Sequence, residues 1–204
     1  MRVMGILAAA LLSTSTATAQ VSNSGPRTVV DVAPDDVLYV RGAPGATSPI
    51  AGALTFDASD IKLTGNTADI DGTRWVEVKA RRVTGWASAS YLGMATPFST
   101  ADARHVTPLR TVRTRSVDEA VKQLEALLRR QHPPDGEVKT AIKIVGVTKE
   151  ALPRVMFNIE GYGDDSVRGE DMVVRLKRDG GTWVVSDVDI RSLCSRGVSG
   201  ALCL

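Results

Sequence analysis

Val37-Leu38-Tyr39-Val40-Arg41-Gly42-Ala43-Pro44-Gly45 is the stretch on which the fold turns. Its first five residues are β-formers in which Leu38 and Val40 alternate with Tyr39 and Arg41, the period of a half-buried strand. Its last four are Gly, Ala and Pro, which end a strand in a turn. Working outward, Thr28-Val29-Val30-Asp31-Val32 is β-branched, and Ala33-Pro34-Asp35-Asp36 forms a turn before the quoted strand. Downstream come four further short strands, Ile50 to Leu54, Ile61 to Leu63, Trp75 to Lys79 and Val83 to Ala87. Asp71-Gly72 stands where a hairpin needs left-handed backbone, and Ala89 to Leu92 reads as a last short turn or strand. Many short strands at close spacing point to a small barrel or sandwich.

The same region carries a resemblance. The quoted strand and turn, then Trp75-Val76-Glu77-Val78, then Gly85-Trp86-Ala87-Ser88-Ala89-Ser90-Tyr91-Leu92 resemble, in order and spacing, a bacterial SH3-like (SH3b) domain over residues 28–93. Tyr39 stands where that family favours Asn, and Gly42-Ala43 where it favours Ser-Gly. The resemblance implies a five- to seven-stranded, strongly bent barrel. It also nominates Tyr39, Arg41, Trp86 and Tyr91 as a candidate ligand groove. Trp86 and Tyr91 have two readings, as filling for a small core or as the aromatic wall of a groove for a peptide or glycan strand.

Residues 94–115 hold two Pro, several Ser and Thr, and Arg104, Arg110, Arg113 and Arg115. They read as a solvated, mildly basic linker, too sparse in charge for a nucleic-acid arm. A second unit spans 116–204. Ser116-Val117-Asp118-Glu119 is a capping box. Val117, Val121, Leu124, Leu127 and Leu128 recur at helical spacing, and Pro133-Pro134 stops the helix. Four strands are expected over Val138 to Val147, Arg154 to Tyr162, Glu170 to Arg178 and Thr182 to Ile190, the last two joined by Asp179-Gly180-Gly181. One helix on a four-stranded antiparallel sheet is an α+β unit, so the chain is expected to be mainly β / α+β, an SH3-like barrel followed by this domain. Glu160 to Glu170, Arg175 to Val185 and Cys194-Ser195-Arg196-Gly197 with Leu202-Cys203 resemble the C-terminal half of SH3b proteins exported by proteobacteria, a resemblance that implies no activity.

Residues 1–19 read as a secretory signal peptide: Met1-Arg2, an apolar run from Val3 to Leu12, and Ala17-Thr18-Ala19 as a small-x-small site with the cut after Ala19. The apolar run is too short to span a bilayer, so the mature form is expected to be periplasmic or secreted with no membrane span. In an oxidising compartment Cys194 and Cys203 read as a disulfide clamping the tail.

The whole sequence has 204 residues, a formal net charge of +2, 43% hydrophobic and 4% aromatic residues. That balance excludes a disordered chain, and the charge is neither strong nor clustered enough for nucleic-acid binding. No Gly-x-Ser-x-Gly elbow occurs. The chain has two His, His105 in the linker and His132 at the helix end, and their unlike contexts do not suggest a zinc site. Asp164-Asp165 lacks the pattern of a calcium loop and reads as a polar turn. No catalytic residue, metal or cofactor is therefore nominated. The expectation is an exported, non-catalytic protein that binds peptidoglycan or an envelope protein. A cell-envelope hydrolase with its site in the second unit and a purely structural scaffold are the rivals.

Overall fold

The computed structural model describes residues 25–133 and 139–204. The expected signal peptide, residues 1–19, and the first residue of the expected Val138 to Val147 strand lie outside the described residues. The described residues are mainly β, with antiparallel sheets and two α-helices.

The first unit contains β1 (Thr28–Val29), β2 (Val37–Arg41), β3 (Ile50–Thr55), β4 (Lys62–Ile70), β5 (Thr73–Ala80), β6 (Val83–Ser88) and β7 (Leu92–Gly93). Five of these form one sheet in the order β3-β2-β6-β5-β4, while β1 pairs with β7. Alternation in β2 does what its sequence requires: Leu38 and Val40 are buried and Tyr39 is exposed. Val29, Val40, Ile61, Val78 and Ala87 form the centre of this core. Asp71 and Gly72 both have positive φ and turn β4 into β5. Gly85 is required for a different reason. A Cβ there would lie 2.4 Å from the Arg41 carbonyl oxygen, so only glycine lets β6 approach β2.

The second unit departs from expectation at its start. Residues 94–115 are not a free linker. They form β8 (Ser99–Thr100), α1 (Ala103–Leu109) and β9 (Arg113–Thr114). Val106, Leu109 and Val112 are buried in the same core as the following helix. That apolar spacing was masked by Pro108 inside the helix and by the Ser/Thr-rich flanks. Asp102 caps α1, accepting from the Arg104 and His105 N–H groups at 3.0 and 3.2 Å.

Then come α2 (Val117–Gln131), β10 (Ala141–Val147), β11 (Arg154–Glu160), β12 (Val167–Asp179), β13 (Thr182–Cys194), β14 (Val198–Ser199) and β15 (Leu202–Cys203). Ser116 Oγ accepts from the Glu119 N–H at 3.2 Å, the cap read from the sequence. β10-β11-β12-β13 run antiparallel in order, but β8 and β9 both add to β13, so the sheet has six strands in place of the expected four. Phe157, Met172 and Val174 bury one face of the sheet against Leu124 and Leu128 of α2 and Leu109 of α1. After β13, Cys194 and Cys203 form a disulfide around the β14-β15 hairpin. No helix among the described residues is long and apolar enough to cross a membrane.

The opposite face of this sheet meets the first unit. Register places Asn158, Asp171 and Arg191 side by side on it, and Arg191 donates to the Val29 carbonyl at 2.8 Å. Phe98 lies under the Arg191 guanidinium at 4.4 Å and against Phe56 at 5.9 Å. Arg154 donates to the Pro34 carbonyl at 3.3 Å, and Lys143 pairs with Asp31 at 2.7 Å.

Candidate functional site

The sheet register determines what β2, β5 and β6 present on the face away from the first core. Arg41 pairs with Trp86, Trp86 with Glu77, and Ser88 with Trp75. Residues directly opposite one another share a face, and Tyr39 is two positions from Arg41 and so joins it. Tyr39, Arg41, Trp75, Glu77, Trp86 and Ser88 are therefore on one surface. Over part of it lies a cleft of about 330 Å³, lined by Tyr39, Arg41, Trp75, Ser88 and Tyr91 together with the Asp31–Leu38 segment and Val145.

Three of the four groove residues nominated from the sequence converge here. Tyr39 and Tyr91 are 45% and 40% exposed, so their rings are available at the rim. The Arg41 guanidinium lies 5.8 Å from the Tyr39 ring centre and donates to the Ser48 carbonyl at 2.7 Å. That bond ties the cleft to the Gly42–Pro49 loop, which closes on itself through Gly42 N–H to the Pro49 carbonyl at 2.8 Å. The fourth, Trp86, is half-buried on the same face and does not line the cleft. Its place is taken by Trp75, which is only 6% exposed. The period-two pattern alone puts Trp75 and Glu77 on one face, but nothing in the sequence says which Trp the cleft would contain.

Asp31, Asp36 and Val145 also went unrecognised. Asp31 has φ 60, a left-handed conformation that Asp tolerates better than most side chains. Its carboxylate is held by Lys143 Nζ at 2.7 Å to each oxygen. Asp36 Oδ1 accepts from the Val37 N–H at 2.7 Å, the turn chemistry read from the sequence.

A second cluster forms where the sequence suggested none. His105 and His132 line one cavity with Arg104 and Gln131, between the start of α1 and the end of α2. His105 Nδ1 lies 2.8 Å from Asp102 Oδ1. Hydrogen bonds from Arg104 and then His105 hold the Asp102 carboxyl well below the usual range. The His132 ring stacks on Tyr162 at 5.8 Å. Burial raises the pKa of both Tyr162 and Glu170, and the nearby Glu170 charge raises Tyr162 further. Glu170 is 8% exposed, and its Oε1 has no hydrogen-bond partner. Burial, then the nearby His105, lowers the His132 pKa. Among the described residues no three His, Cys, Asp or Glu side chains are grouped to hold a metal. Asp164 serves as a turn residue: its Oδ1 accepts from the Ser166 and Val167 N–H groups at 2.7 Å each. Asp165 pairs with Arg196.

No protein-family model, curated protein or solved structure matches this chain.

Proposed function

We propose that this chain is an exported, non-catalytic protein of the bacterial cell envelope, and that its first unit is an SH3b domain that binds peptidoglycan through the Tyr39–Arg41–Tyr91 cleft. The observation that carries this reading is the meeting of those three side chains over Trp75 in one open cleft. Exposed aromatic rings beside a fixed guanidinium suit an extended polymer, offering flat apolar contact and directed hydrogen bonds. The disulfide at the tail accords with folding in an oxidising compartment.

Retention of the full chain on purified sacculi tests the reading. Tyr39→Ala and Tyr91→Ala together are expected to weaken retention about ten-fold or more, the usual cost of removing aromatic anchors. Retention that is absent in the parent protein, or unchanged in the double variant, overturns it. If cross-linking in the periplasm captures one protein partner while sacculi capture nothing, the scaffold reading takes its place.

A hydrolase is the second reading, and the Asp102–His105–Glu170–Tyr162–His132 cluster supports it. An imidazole oriented by a carboxylate, near a buried carboxyl whose pKa is raised, is the kind of pairing that acid–base chemistry uses. Muropeptide release from sacculi, lost in His105→Ala and Glu170→Gln, would establish it in place of the non-catalytic reading.

A further inference from the structure

β10 contains one residue more than its partner strand accommodates. Ile144 pairs with Phe157 and Gly146 with Met156, which leaves Val145 as a bulge without a partner. A bulge re-aims the side chain at its apex, and Val145 lines the cleft of the first unit. Two contacts hold it there. On one side Lys143 pairs with Asp31. On the other Gly146 packs so closely on residue 33 that a Cβ would stand 2.4 Å from Ala33 Cβ. The cleft is therefore shared between the two units.

This changes its chemistry. Its lining joins the aromatic Tyr39, Trp75 and Tyr91 to the aliphatic Val32, Ala33 and Val145. Sugar rings favour aromatic faces with polar groups at their edges, whereas an aliphatic wall matches methyl-sized side chains. The volume of about 330 Å³ is near the lower end of ordinary ligand pockets, roughly 300–1,000 Å³. We propose that the cleft takes an extended peptide with small aliphatic side chains, and that Val145 of the second unit sets that size limit. The proposal rests on the cleft being the binding surface, as in the function proposed above. Arg41 and Asp36 at its margin offer a donor and an acceptor to the peptide backbone.

The test uses the full chain and acetylated Ala-Ser-Ala-Ser amide, the matching Leu-Ser-Leu-Ser peptide, and chitotetraose, titrated against the Trp75 indole signal by NMR. The alanine peptide is expected to bind best. Val145→Ala should bring the leucine peptide up by about ten-fold relative to it, the scale of methylene discrimination in an apolar pocket. Val145→Phe should block both peptides. Unchanged selectivity in Val145→Ala, preference for chitotetraose, or no binding of the alanine peptide overturns the proposal. These outcomes separate from the broader reading: if Tyr39→Ala loses sacculus retention while Val145→Ala and Val145→Phe do not alter peptide selectivity, the polymer-binding cleft stands and the size limit falls. Should Val145→Phe fail to fold, the Val145→Ala selectivity decides alone.

Discussion

Arg191 and Asp171 form a buried ion pair, 2.7 Å apart and 2% and 0% exposed, in the middle of the junction between the two units. Asn158 donates to the second Asp171 oxygen at 2.9 Å, and Arg191 also reaches the Val29 carbonyl. Each charge is thus both paired and hydrogen-bonded. Removing one partner leaves the other buried and uncompensated, which costs about 3–5 kcal/mol. Arg191→Met alone is expected to lower the urea-unfolding free energy by that amount. The double variant Arg191→Met with Asp171→Leu should recover part of the loss. A single-variant loss below about 1 kcal/mol would show the pair to be dispensable.

The Cys194–Cys203 disulfide closes a loop with a sequence separation of 9. Denatured, unreduced protein should contain no titratable thiol. A short loop limits the stabilisation to about 2–3 kcal/mol, so Cys203→Ser should shift the unfolding midpoint only modestly. Two free thiols in the purified protein would refute the clamp.

Two groups under the helices give opposite pH slopes. The folded-state pKa of His132 lies below its ordinary 6.5, so the unfolded chain binds more protons in the window just under pH 6.5. Stability from this group is complete above pH 6.5 and falls as the pH drops toward the folded value. Glu170 has a folded-state pKa above its ordinary 4.5, so the folded chain binds more protons just above pH 4.5, and stability falls as the pH rises through that window. His132→Gln should flatten the acid-side decline, and Glu170→Gln the decline on its higher-pH side. Melting curves across pH 4 to 9 read both, and profiles that overlay the parent's would reject the assignment.

Gly146→Ala tests the contact between units directly. The new methyl collides with Ala33, and relief of such overpacking typically costs about 1–3 kcal/mol. A lower melting temperature and faster hydrogen exchange at Ala33 and Val145 are expected. A variant as stable as the parent would mean that the two units part without strain.

Much of the fold is legible in short-range pattern. The alternation of Leu38 and Val40 with Tyr39 and Arg41, the Asp71-Gly72 turn and the Ser116–Glu119 cap are local signals, each satisfied within a few residues. What escaped is non-local. Val106, Leu109 and Val112 have helical spacing, but Pro108 and the polar flanks hid it. The Val145 bulge depends on a partner strand whose register no single segment contains. The approach of His105 to His132 depends on how α1 folds back toward the end of α2, which neither sequence context encodes. Of the residues that line the cleft, Tyr39, Arg41 and Tyr91 sit in strand and turn motifs that a sequence displays locally. Trp75 was not distinguishable from Trp86, because both alternate onto the same face.

The bond from Arg191 to the Val29 carbonyl joins positions 162 residues apart, and β8 and β9 wait on β13, the last long strand. Contacts this distant in sequence make folding slow. The first unit cannot complete its junction until almost the whole chain has been delivered, so the nascent chain remains without its final tertiary lock throughout synthesis. The timing of folding is thus written into which strand comes last.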